Sequence, residues 1–532
     1  MFRLIIHSRV VQLILIGSVV LFTACDKGFE DMNKNPNAYT EPIIDNLFSY
    51  AIVRHTQNNG QILDPTCKQA GSWVQYFSSL TTVEWYADKY LWRQGYYDRF
   101  FQNAYRTELR EVLQIIEETK NDPDQINKYA IARIWRVEVL HRVTDMYGDI
   151  PYSEAGLGYI DGQYSPKFDQ QADIYADMLK ELDEAALSLD NQKPAYGSAD
   201  FLYNGNVEQW KRFAYSLMLR LGMRLTKVDI GMAETWVKKA IAGGVMQGMD
   251  DIAYLTHTAG SSTNWNTISN VLQGGEGVPI SAKGQGISKI NQTFIDHLVA
   301  TNDPRLPFYA TLWQGNADIS MLPTYSAKEV QKGLPGGNDQ STIRNIIPDW
   351  SGEKLAEYSE INLHTVANLA TPTIFMSFAE INYLLAEAAL RGWTTAGDVK
   401  SYYDEGVRAS LQIQGIFPNG MPLEEALLAA NQYLATNPFI PGDFEKQMEQ
   451  IHTQMWVSLF MVNNIEEYAN WRRTGYPKLT PYNYPGNETG GTIPRRSRYA
   501  TTESSLNPDR YNEAVSNQGP DLFTTRIWWD KE

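Results

Sequence analysis

The 532-residue chain is 43% apolar and 20% charged with a formal net charge of −16, which gives it material for a large folded core and excludes disorder throughout. The excess of acid argues against a nucleic-acid partner, which Lys and Arg would have to hold by neutralising phosphates, and against adsorption to anionic lipid. Two cysteines, Cys25 and Cys67, are too few for a disulfide framework, and no CxxC or Cys/His cluster suggests zinc. Among the rings, 31 Tyr and 14 Trp outnumber 19 Phe, so aromatics with a polar edge dominate, as suits surfaces packed on one side and wet on the other.

Residues 1–24 read as a targeting segment. Arg3 and Arg9 supply a positive start, and Val10 to Phe22 is an apolar run of about 13 residues, short of the roughly 20 that span a bilayer. The run ends in Leu21-Phe22-Thr23-Ala24-Cys25, small residues just before a cysteine, which resembles the lipobox of bacterial lipoproteins. Cys25 is therefore expected to carry lipid, and an ordinary secretory signal is the alternative. Cleavage removes both arginines, leaving 44 basic residues against 62 acids, a net charge of about −18, and Cys67 as the lone thiol. Several acyl chains anchor stably where one is marginal. Residues 25–42 are polar and turn-rich, as a tether should be, and 43–532 are expected to form a single binding domain.

Helical periodicity dominates the chain beyond Cys25, and no segment there is apolar for long enough to cross a membrane. Ile126 to Tyr147 carries two apolar stripes, so its helix must be sandwiched between neighbours. From Val207, apolar residues at Trp210, Phe213, Ala214, Leu217, Leu221 and Leu225 form one stripe. The spacing predicts hairpins of Asn103–Glu118 with Lys128–Asp145 and of Ala172–Ser188 with Val207–Leu225, and a short helix at Ala233–Ala242. Thr371-Pro372 reads as the capped start of a helix that stops at Gly392, and Asp398 as the start of the next. Small residues at helical spacing, Ala386, Ala388, Ala389, Gly406 and Ala409, let two such helices approach closely. The fold class is accordingly mainly α, a tetratricopeptide-like helical-hairpin scaffold with long irregular insertions and an irregular C-terminal region from Thr474.

The insertions at 259–288 and 331–352 are rich in Gly, Ser and Asn, and long loops inside a domain are usually functional. Before them, Tyr76 to Tyr97 is dense in rings, including Trp85, Tyr86, Tyr90 and Trp92 interleaved with charges. Trp265 beside Asn264 and Trp313 beside Gln314 repeat this aromatic-plus-amide character in polar loops, where a tryptophan has no core to fill. Sugar rings present flat C–H patches that pack on an indole or phenol face, while amides bond the hydroxyls. The candidate ligand-binding residues are thus Trp85, Tyr86, Tyr90, Trp92, Asn264, Trp265 and Trp313. Catalytic signals are wanting: the seven histidines are scattered singly, and no HExxH, GxSxG, Walker loop or dinucleotide fingerprint occurs. A glycosidase carboxylate pair stays open, since only spatial separation is diagnostic. The pairs at Arg472-Arg473 and Arg495-Arg496 are expected to tie an irregular tail to helix ends.

Taken in order, Phe29-Glu30-Asp31-Met32-Asn33, the run Met146-Tyr147-Gly148-Asp149-Ile150-Pro151-Tyr152, Asp303-Pro304-Arg305, Leu385-Ala386-Glu387-Ala388, Trp471-Arg472-Arg473-Thr474-Gly475 and Ile493-Pro494-Arg495-Arg496 resemble the SusD/RagB family of outer-membrane nutrient-binding lipoproteins. The resemblance implies a tetratricopeptide-like scaffold, lipid-anchored at the outer membrane and facing the cell exterior. It further implies binding of oligosaccharide without catalysis or cofactor, and delivery to a TonB-dependent transporter barrel. Relatives that capture peptide are the alternative, and an all-helical glycoside hydrolase is the third reading. In the family an arc of rings from an early loop and from middle insertions binds glycan, and Trp85, Tyr86, Trp92, Trp265 and Trp313 occupy comparable stretches.

Overall fold

The computed structural model describes residues 43–57, 60, 62–82, 86–156, 158, 162–273, 289–312 and 322–532. Cys25 and the leader, Trp85 and Trp313 lie outside the described residues. The chain divides into two compact units, Met1–Ile44 and Asp45–Glu532, and the second holds the helical scaffold and its insertions.

The scaffold is a succession of antiparallel helix pairs. The first run comprises α1 (Arg110–Thr119), α2 (Ile126–Tyr147), α3 (Gln171–Ser188), α4 (Val207–Arg224) and α5 (Ile230–Gly243), each packed on the next. The second comprises α6 (Phe378–Leu390), α7 (Val399–Gln412), α8 (Leu423–Thr436), α9 (Phe444–Leu459) and α10 (Asn464–Thr474). Here α6 packs on α7 and α9, and α10 returns to touch α2. Polar caps start the helices: Asn206 accepts from the Glu208 and Gln209 N–H groups, Ser377 from Glu380 and Asp398 from Ser401. Both stripes of α2 are buried, since α1, α3, α4 and α10 all pack against it. Small residues allow the close approach expected of α6 and α7, where a Cβ at Gly406 would lie 2.6 Å from the Tyr383 ring.

The two runs are joined by buried charge. Arg220 of α4 bonds Glu380 of α6, while Arg224 bonds Glu466 of α10 and lies 3.4 Å from Asp145 of α2. Such pairs add little net stability but are costly to break, because the stranded partner keeps its desolvation penalty.

Two local expectations are corrected. Thr371-Pro372 does not open a helix. Thr373–Met376 is instead a strand, β8, and α6 begins after Ser377. Thr-Ile-Phe-Met is a β-branched and apolar run that finds a partner in Ala253–Leu255 (β4). The C-terminal region, expected to lack sustained helix, contains Thr501–Leu506 and an 11-residue helix, Pro508–Gln518, with proline at its first position. The arginines there do tie the tail down: Arg472 donates to the Asp145 and Arg495 carbonyls, Arg473 forks onto Glu387, and Arg496 pairs with Asp521 at 2.9 Å.

The other strands are two-residue antiparallel ribbons. Phe77–Ser78 (β1) pairs with Lys289–Ile290 (β5), Ile150–Pro151 (β2) with Phe168–Asp169 (β3), and Ala310–Thr311 (β6) with Glu360–Ile361 (β7). They pin the insertions to the scaffold. The 331–352 insertion also builds a satellite core of Leu334, Ile343 and Trp350 with Leu80, Leu355 and Tyr358.

Candidate functional site

The ring-rich segment splits by burial. Tyr86 is 1% exposed and Tyr90 0%. Tyr86 packs at 5.7 Å from both Tyr96 and Tyr97. Tyr90 takes the left-handed conformation at φ 55°, stacks 6.4 Å from Tyr482 and accepts the Tyr482 N–H on its hydroxyl at 3.2 Å. These two phenols fix the base of the loop and offer no ring face to a ligand, which corrects the expectation that they form part of the platform. Density of rings in sequence does not separate those that pack from those that face outward.

Trp92 stays half-buried. Its backbone N–H donates to Glu488 Oε1 at 3.2 Å, and the Arg498 guanidinium sits 4.7 Å from its ring centroid while pairing with Glu488 at 3.2 Å. A cation over the π face adds of the order of 0.5–1 kcal/mol at an exposed position and sets the tilt of the indole. Arg93 closes the same loop by donating to the Thr82 carbonyl from Nε (3.0 Å) and Nη2 (2.8 Å), across the segment that holds Trp85. Glu488 lies 396 positions from Trp92, so no local pattern could have paired them.

Trp265 is held by its own loop. The indole N–H donates to the Ala259 carbonyl at 3.0 Å, the Thr258 N–H to the Asn264 carbonyl at 3.1 Å, and the Asn264 N–H to the Ser261 carbonyl at 2.9 Å. Beneath it, Asn266 caps the helix Thr267–Leu272 and donates to the Thr371 carbonyl at 2.9 Å. His257, kept neutral by burial that lowers its pKa to about 4, meets Thr373 Oγ1 at 2.9 Å. With its N–H spent, the half-buried indole has only its face to offer, and the exposed Asn264 amide stands next to it in the chain. A ring face with an adjacent amide suits a ligand that has apolar C–H patches and hydroxyls. The base of the Trp313 segment is closed by the Leu312 N–H donating to the Tyr325 carbonyl at 3.0 Å.

The Trp92 and Trp265 loops have different supports, the C-terminal segment for one and residues 365–373 for the other. Several buried charged groups elsewhere are spent on structure. His55 pairs with Glu108 at 2.6 Å and His452 with Glu387 at 2.9 Å, all buried. His141, Asp145 and Glu466 come together in the interior. Arg224 occupies both carboxylates, and Trp529 donates to Asp145 at 3.1 Å, so the donors that a cation would need are already neutralised. Burial pushes the Cys67 thiol well up, which keeps it protonated and inert.

Paired helices that carry loop-borne rings and amides define a scaffold built for binding. The chain belongs to the SusD-like family: the family model described as "Starch-binding associating with outer membrane" matches residues 36–500. Among solved structures, a chitin-binding protein is 30% identical over 92% of this chain and 100% of its own, with a TM-score of 0.77. A Bacteroidetes SusD-like protein, AC2a, is 28% identical over 92% and 100% of the two chains, with a TM-score of 0.79. A SusD homologue from Bacteroides uniformis is 26% identical over 92% and 98%, with a TM-score of 0.72. A comparison with curated proteins finds no match. No helix among the described residues is long and apolar enough to cross a membrane.

Proposed function

We propose that the protein is a lipoprotein, anchored through Cys25 in the outer membrane and facing the cell exterior, that binds oligosaccharide and passes it to a TonB-dependent transporter barrel without chemical change. The observation that carries the reading is the braced, half-buried Trp265 beside the exposed Asn264 amide. Trp92 on its Glu488–Arg498 clamp is a further contact, and Trp85 and Trp313 complete the set. The 30% identical relative described as chitin-binding makes chito-oligosaccharides the first ligands to test.

Calorimetric titration of the full chain in detergent against chito-, malto- and xylo-oligosaccharides should give binding to one class and no release of reducing ends. Binding to protein digests and to no glycan would replace this reading with peptide capture, and turnover would replace it with hydrolysis. Cys25→Ala should leave the chain unacylated and released from membranes. Co-purification of a large barrel with the tagged native chain tests the delivery step.

A further inference from the structure

Trp528 and Trp529 are adjacent in sequence and differently used. Trp529 is fully buried, with its indole N–H on Asp145 and the Arg472 guanidinium 4.7 Å from its ring centroid. Trp528 is half-buried, leans on Tyr175 at 6.1 Å, and walls an open cleft of about 440 Å3 with Gln170, Gln171, Asn517, Gln518 and Arg526. That volume falls in the range of small-ligand sites, roughly 300–1,000 Å3.

The floor is built. The Asp149 N–H donates to Gln518 Oε1 at 2.6 Å, the Gln171 N–H to Asp149 Oδ1 at 2.8 Å, and Gln518 Nε2 to the Tyr147 carbonyl at 2.9 Å. Gln518 is thereby satisfied at both ends of its amide. Gln171 is not: it is 0% exposed, its Nε2 donates to the Thr144 carbonyl at 2.8 Å, and its Oε1 has no partner. A buried acceptor left unmet costs about 1–3 kcal/mol, and this one lies below the surface of the cleft. On the rim, Gln170 and Asn517 are exposed, and Gln170 does not cap the helix it precedes. The cleft's guanidinium is already neutralised, since Arg526 pairs with Asp530 at 2.9 Å and Glu532 at 3.3 Å. With Asp149 and Lys531 the cleft is lined by three acids and two bases, a near-balanced set that favours no net charge in a ligand.

We infer that this cleft is a second ligand site, remote in sequence from the Trp92 and Trp265 loops, which takes an uncharged sugar residue. The ring's C–H face packs on Trp528, and the exposed amides of Gln170 and Asn517 bond the hydroxyls. The ligand class rests on the proposed function, and the site does not. A second contact of this kind would let one long chain be held at two points, which raises avidity without tightening either step.

Hydroxyl-radical footprinting of the full chain, read by mass spectrometry with and without diacetylchitobiose, maltose and xylobiose, tests the inference. One of these probes should protect Trp528 from oxidation. Trp528→Ala should weaken the corresponding binding step about tenfold, of the order of a lost ring-stacking contact, while Trp528→Phe retains most of it. Protection of Trp265 with Trp528 oxidised as before overturns the second site and leaves the proposed function standing. Protection of neither tryptophan overturns both. Trp528→Phe keeps the test decisive if Trp528→Ala fails to fold.

Discussion

Arg220 grips Glu380 through two parallel bonds, Nε to Oε1 at 2.6 Å and Nη2 to Oε2 at 2.8 Å, with both side chains wholly buried. The fork joins α4 to α6, where the two runs of helix pairs meet. Glu380→Leu should therefore destabilise the fold by about 3–5 kcal/mol, because it removes the main partner of a guanidinium that has no water to turn to. Glu380→Gln, which can still accept one bond, should cost less. Urea denaturation of the three proteins checks this, and equal stabilities would refute a structural role for the fork.

Glu138 gives the interior a pH dependence. Burial pushes its carboxyl up to about 8, against the pull of Arg220 and Arg142, and neither oxygen has a hydrogen-bond partner. Between its ordinary value of 4.5 and about 8, the folded chain keeps a proton that the unfolded chain has released. The stability this group contributes is thus fully present below pH 4.5 and is lost as pH rises through 8. Glu138→Gln stays neutral throughout, so the unfolding free energy of the parent minus that of the variant should fall steadily from pH 5 to 8. A difference that does not change with pH would overturn the assignment.

The rings of the early segment should separate in binding. Trp265→Ala and Trp92→Ala should each weaken glycan binding by about 1–2 kcal/mol, roughly 5- to 30-fold, the range of a lost ring contact. Tyr86→Phe and Tyr90→Phe should leave affinity unchanged, because both rings are interior. Tyr90→Phe should instead lower stability by about 1 kcal/mol, through the orphaned Tyr482 N–H. Calorimetry and thermal melts on the same samples distinguish the two kinds of effect.

Gly148 ends α2 at φ +86°, where a Cβ would fall 1.7 Å from Gln518 Oε1. Gly148→Ala should cost about 2–4 kcal/mol, combining backbone strain with displacement of the Gln518 amide. Gly244, at φ +96° with nothing within 4 Å, carries the strain alone. Gly244→Ala should cost only about 1 kcal/mol. Denaturant titration of both variants checks that Gly148→Ala is the more costly.

Local features read correctly from sequence are those set by neighbours in the chain. The stretch Ile126–Tyr147 shows its two buried sides in its own periodicity, and Asp398 shows its cap in the N–H groups it can reach. Thr371-Pro372 misleads for a non-local reason. The adjoining Thr373–Met376 finds its hydrogen-bond partners in β4, more than a hundred residues earlier, and that pairing outweighs a local helix signal. In the candidate site, the loop position and the amide neighbour of Trp265 are visible in the sequence. The sorting of Tyr90 from Trp92 is not, because Tyr482 and Glu488 approach only in the folded chain.

Composition, periodicity and ordered motifs by themselves determined a helical-hairpin scaffold with polar, aromatic insertions and a family to which the chain belongs. Those properties reside in short-range spacing, which one helix or one loop contains whole. Tertiary structure alone decided which rings are spent as core, how a distant Glu–Arg pair sets the tilt of Trp92, and that Trp528 faces a cleft while Trp529 is sealed beside it. Exposure of a side chain is a property of what packs over it, and for Tyr90 and Trp92 the covering segments come from the far end of the chain.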